Sequence, residues 1–186
     1  MDKRLSNLQL RTWLTVVGAA VLIIGTAYAM VQQSTRLSAD DLPLTTAQVT
    51  KQELQSGSNP GDVVPSLKTN LRTDTSVFVI ITDNSKHVLA SSASLDGQTP
   101  LPPSGVFSFT AQQGTDHFTW QPENGVRLAT RVENYTNGSD KGFIIAGQSL
   151  KPYEDRINTY TWLAGAGLLA TAAWSYLLLL LPRLKK

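Results

Sequence analysis

Two long uncharged stretches near the ends of the chain constrain it more than anything between them. Residues 12–35 carry no charge and residues 13–31 are mostly apolar; residues 157–182 are again uncharged, with residues 161–181 as their apolar heart. An α-helix rises about 1.5 Å per residue, so about 20 residues cross a hydrocarbon core of roughly 30 Å. Both stretches reach that length. Trp13 and Tyr28 near the ends of the first, and Tyr160 and Trp162 at one end of the second, are amphipathic rings of the kind that settle at headgroup level. The sequence therefore reads as an integral membrane protein. Residues 1–12 form a cytoplasmic N-terminus, 13–31 a first transmembrane helix, 32–156 an extracytoplasmic domain, 157–181 a second transmembrane helix and 182–186 a cytoplasmic tail.

The flanking charges set the orientation. Lys3, Arg4 and Arg11 precede the first stretch and Arg183, Lys185 and Lys186 follow the second, against the one acid Asp2. The region between holds 10 basic and 13 acidic residues of the chain's 16 and 14. On its inner flanks Arg36, Lys151 and Arg156 are mixed with Asp40, Asp41, Glu154 and Asp155. Basic residues near the spans stay on the cytoplasmic side, so both termini are expected there. A second reading of the N-terminus stays open. Its basic residues, apolar stretch and Ala27-Tyr28-Ala29 also fit a secretory signal cleaved after Ala29, which would leave one span and the same outer domain.

Between the spans, residues 38–55 have helical character with Leu44, Val49 and Leu54 as apolar positions, and Gly57-Ser58-Asn59-Pro60-Gly61 ends the helix. A short helix is expected over 65–71, opened by Pro65. Strands follow. Residues 76–82 (SVFVIIT) suit a buried central strand, 83–86 a turn, and 87–91 its hairpin partner. A polar, proline-rich connection leads to strands expected at 106–110 and 117–121. Asn124-Gly125 then turns the chain into an alternating strand over 126–133. A glycine-bearing loop over 134–142 precedes a last apolar strand at 143–146. This is an α+β domain: an antiparallel sheet of about five strands with helices on one side. Beyond Ser149, with Pro152 tolerated in a first turn, one continuous helix over 152–181 is expected, joining the last strand to the second span.

The order of these segments, with "VFVIITDNSKHVLASSASLDG" and "GFIIAGQSLKPYEDRI", resembles the extracytoplasmic PAS-like, Cache-type sensor region of bacterial sensor histidine kinases. The hairpin is similar to that family's D-x-x-G-x-V-L-x-S-S segment, with Lys86 where glycine is usual. The second string resembles the last strand and the start of the signalling helix. In that family a phospho-accepting histidine and an ATP-binding domain follow the second span, whereas only Arg183-Leu184-Lys185-Lys186 follows here. The resemblance thus implies a sensor region without the kinase part.

The chain has no cysteine and only His87 and His117, which leaves little for a metal site or a thiol nucleophile. No nucleophile, zinc or phosphate-loop motif occurs, so no catalysis and no cofactor are expected. Arg127 and Arg131 share one face of a strand. Either they are ordinary solubilising charge, or they hold a small anionic ligand through paired guanidiniums, with Trp120 and Tyr135 as apolar walls. Two glycosylation sequons, at Asn134 and Asn137, read as turn chemistry. Within the spans Gly18 and Gly25, and Ala166 with Ala170 or Gly167 with Thr171, are small residues at helical spacing that allow close helix packing. They suit pairing of the two spans, a homodimer or another membrane protein. The expectation is a membrane-anchored sensory or ligand-binding module, without catalytic output, that signals through its spans to a membrane partner and binds no nucleic acid. The alternative is a structural or accessory subunit of a cell-envelope membrane complex.

Overall fold

The structure, a computed structural model, describes residues 7–184, and side chains of the last helix as far as residue 180. Lys3, Arg4, Lys185 and Lys186, on which the orientation rests, lie outside the described residues. The described residues divide into two compact units: residues 36–154, and the two terminal segments 7–35 and 155–184.

The terminal unit is a pair of helices. α1 (Asn7–Ser38) and α5 (Lys151–Leu184) are 32 and 34 residues long, and both are long and apolar enough to cross a membrane. They run antiparallel. Near the start of α1 the Trp13 Nε1–H donates to the Ala172 carbonyl at 3.1 Å, and the Trp13 ring meets Tyr176 edge-on. Towards its end the Tyr28 and Thr161 hydroxyls are 2.7 Å apart. Large apolar side chains such as Leu22, Ile23, Trp162 and Leu169 face outward.

The other unit begins with the end of α1. After Ala39 and Asp40 the chain enters α2 (Asp41–Gln55), then the single turn α3 (Pro60–Val63). β1 (Thr69–Asn70), the hairpin β2 (Phe78–Asp83) and β3 (Val88–Ser91), and the short β4 (Ala93–Ser94) follow. Then come α4 (Ser104–Gln113), β5 (Thr115–Glu123), β6 (Val126–Asn137) and β7 (Asp140–Ser149). Five strands make one antiparallel sheet in the order β3-β2-β7-β6-β5, while β1 and β4 form a separate parallel pair. The domain is α+β, as the sequence predicts.

The place of β2 in the sheet explains why Phe78, Val79, Ile80 and Ile81 are apolar without a break. Phe78 and Ile80 join one core with Trp120, Leu128, Val132, Phe143 and Ile145, whereas Val79 and Ile81 join the other with Tyr135, Ile144 and Ala146. A central strand covered on both faces has no solvent side to alternate towards. α2 covers the second face with Ala47 and Leu54, and α4 covers the first with Phe107. Helices thus lie on both sides of the sheet, not on one.

Four further expectations are corrected. Residues 106–110 form the middle of helix α4, bracketed by Pro103 before it and by Gly114, at φ 87°, after it. Proline at a start and a left-handed glycine at an end are helix boundaries, and VFSFT buries Phe107 and Thr110 at helical spacing. The short helix sits at Pro60–Val63, and the segment assigned to it carries β1. Residues 134–142 are not a loop: β6 and β7 continue to Asn137 and Asp140 around a tight turn at Gly138. On α2 the buried positions are Pro43, Ala47, Thr50 and Leu54, and Val49 is exposed.

Candidate functional site

The four residues expected to line a ligand site do not converge. Strand geometry puts alternate residues on opposite faces, so Arg127, Arg131 and Tyr135 share the α2 side of β6, while Trp120 is buried in the α4-side core against Phe78. Arg127 and Arg131 are four residues apart, about 13 Å along a strand, and Arg131 and Tyr135 are separated by as much again. Each guanidinium is also engaged elsewhere. Arg127 is ion-paired with Glu154. Arg131 donates from Nη1 to the Thr115 hydroxyl at 3.2 Å, and its Nε is enclosed without an acceptor. In this structure the two guanidiniums therefore have separate partners and are not brought together.

The histidines are also apart. His87 closes the β2–β3 turn and His117 lies on β5, the opposite edge of the sheet, about four strand spacings or 19 Å away. Among the described residues no three His, Asp or Glu side chains gather as a metal would require.

A groove of about 750 Å³ lies instead at the turn end of the sheet. Three segments enclose it. The α2–α3 connection brings Leu54, Ser58 and Asn59, the β2–β3 turn brings Asp83, Asn84 and Ser85, and the β6–β7 turn brings Tyr135, Asn137, Ser139, Asp140 and Lys141. Asx and serine residues occur there because the turns need side chains that satisfy local backbone groups. Asp83 shows this: its Oδ1 accepts the His87 amide at 2.8 Å and its Oδ2 meets the His87 ring at 3.0 Å. Burial works to raise its carboxyl, but those bonds and one from the Ser85 amide outweigh burial and hold the pKa below the ordinary value. Lys86 completes the turn at φ 71°, a left-handed conformation that favours glycine. Burial, and then the charges of Asp140 and Asp83, raise the pKa of the Tyr135 phenol. With two carboxylates against Lys141, the lining suits a polar ligand that is neutral or cationic.

At the other end of the sheet Gln148, near the end of β7, is 3% exposed. Its Nε2 donates to the Ala39 carbonyl and to the Tyr153 hydroxyl, each at 2.9 Å. Ala39 joins α1 to α2, and Tyr153 lies in the first turn of α5. The Leu150 amide adds a 2.8 Å bond to the Arg127 carbonyl. Sequence reasoning missed both the groove and this junction.

The small residues of the helix pair divide. Gly167 faces α1, where a Cβ would stand 3.8 Å from Ile24, whereas nothing lies within 4 Å of a Cβ built on Gly18 or Gly25. Ala166 and Ala170 are exposed as well, while Ala164, Thr171 and Ala172 are half-buried. The intramolecular pair uses the Gly167 side, and the Gly18–Gly25 and Ala166–Ala170 sides face outward. No protein-family model matches the chain, and no curated protein matches it in sequence.

Proposed function

We propose that the chain is a membrane-anchored sensory module. Its α+β domain stands on the extracytoplasmic side as a PAS-like sensor, both termini are cytoplasmic, and the state of the domain passes through the two spans to a membrane partner. The observation that carries this reading is the join between sheet and helix: β7 ends at Ser149 and α5 begins at Lys151, with Leu150 alone between them. The central strand thus passes, after one residue, into a 34-residue helix whose later part is long and apolar enough to cross a membrane. The left-handed Lys86 adds support, since it occupies the turn position where the resembling sensor regions carry glycine. The outward small-residue faces of both helices offer the partner a close approach.

The ligand of this module is a small polar molecule, neutral or cationic, held in the groove beside Tyr135. Because the chain has no cysteine, Ser139→Cys supplies one unique thiol for testing the topology. A membrane-impermeant maleimide added to intact cells should label it. Labelling only after the cells are opened would overturn the reading. A thermal-shift screen of the full chain in nanodiscs then separates sensing from scaffolding: small-molecule stabilisation, lost in Asp140→Asn, supports the groove as sensor.

A further inference from the structure

Gln148 stands where two routes through the domain meet. α2, 15 residues or about 22 Å long, begins beside Ala39 and carries in its last turn Leu54, which lines the groove. β7 begins at Asp140 and Lys141, also in the groove, and ends beside Gln148. Both elements thus run between the groove and the same buried amide. They are packed on each other through Ala47, Leu54, Ile144 and Ala146, and Lys51 of α2 pairs with Glu133 of β6 at 3.2 Å. A carboxamide nitrogen has two hydrogens. Gln148 gives one to the residue that follows the N-terminal helix and one to the first turn of the C-terminal helix.

We infer that Gln148 is a latch that fastens the roots of both long helices to the sheet, so that filling the groove is felt at the two roots together and through this one side chain. The inference rests on the sensory reading for its purpose, although its mechanism lies wholly within residues 36–154. The groove widens or closes by moving the C-terminal end of α2 against the start of β7. Either element then carries the displacement to its other end, because a helix and a paired strand move as units. At that end the two acceptors of Gln148 belong to different elements, so relative movement lengthens at least one of its bonds.

Hydrogen exchange on the full chain in nanodiscs tests this. In Gln148→Leu, exchange in residues 39–44 and 150–156 should quicken roughly tenfold at each root, as expected where one hydrogen bond is lost and its acceptor is left unsatisfied, while Ile80 and Ile145 in the sheet centre keep their protection. Tyr153→Phe removes one acceptor only, so residues 150–156 should quicken and residues 39–44 should not. The groove is filled without knowing its ligand by treating Ser139→Cys with N-benzylmaleimide. Exchange at both roots should then change several-fold with Gln148 present, and not in a Gln148→Leu background. Unchanged roots in Gln148→Leu or on filling the groove, or an equal response to filling with and without Gln148, would overturn the latch. If the thiol introduced by Ser139→Cys is labelled from outside while the roots stay unresponsive, the latch alone fails. If it is labelled only from inside while the roots respond, the topology alone fails.

Discussion

At the scale of single residues, the sheet is held by two glycines of β7 whose missing side chains are occupied by something else. A Cβ on Gly142 would stand 1.9 Å from the Thr82 carbonyl oxygen, and one on Gly147 would meet the Phe78 ring at 2.6 Å and the Ala129 oxygen at 2.8 Å. A ring can turn aside, but the carbonyl of a paired strand cannot without breaking the ladder. Gly142→Ala should therefore destabilise the domain by at least about 3 kcal/mol, the upper part of the range for overpacking, measured by urea unfolding. The Asp83–His87 contact predicts a pH effect whose sign follows from its cause. The folded carboxyl lies below its ordinary value of 3.8. The stability it contributes is thus complete above that value and is lost as pH falls through the folded pKa. His87→Ala removes the ring bond and leaves the backbone bond, so the Asp83 pKa should move up in an NMR titration, and the acid unfolding of the hairpin should begin at higher pH.

At the scale of elements, the legible parts are those whose neighbours in space are neighbours in sequence. β2, the turn after it and β3 could be read directly, because a run of β-branched and aromatic residues ending in Asp83-Asn84 has few other uses. α4 could not. Its residues 106–110 pass for a strand until Pro103 and Gly114 are weighed as the two ends of a helix. The turn after β6 was hidden for another reason: Gly142 is a poor strand former by itself, and only its cross-strand partner Tyr135, whose ring packs on the open backbone of Gly142, shows why it lies in β7. Placed correctly, α4 has a definite energetic role. Phe107 is 2% exposed, lies 5.2 Å from Phe143 edge-on, and has the Lys86 ammonium 5.5 Å from its ring centre. Phe107→Ala should cost about 3–5 kcal/mol and detach α4 from the sheet, seen as lost near-UV signal and faster exchange of the α4 amides.

At the scale of the whole molecule, two long apolar helices around one α+β domain were evident from charge and hydropathy alone, since a lipid-length stretch leaves a strong trace in sequence. The groove and the Gln148 junction left none. Gln148 and Ala39 are 109 residues apart, and the groove is assembled from three turns, so only the fold brings them together. The join of β7 to α5 makes a prediction at this scale. Inserting two glycines after Asn158 should interrupt the helix at about 1 kcal/mol per residue and uncouple the helix beyond it from the domain. Groove filling should then still alter exchange at residues 150–156 and no longer alter that of residues 160–170; transmission undiminished by the insertion would count against a continuous helix as the conduit.

The arrangement at Gln148 has one more consequence, for which of the two helices such a module would free first. Half a turn about the last torsion of the side chain puts the amide oxygen where the nitrogen was, so that the Ala39 carbonyl faces another acceptor and repels it. The Tyr153 hydroxyl is donor as well as acceptor, so it turns its hydrogen towards the new oxygen and stays bonded. One rotation lets go of the N-terminal side and keeps the C-terminal one.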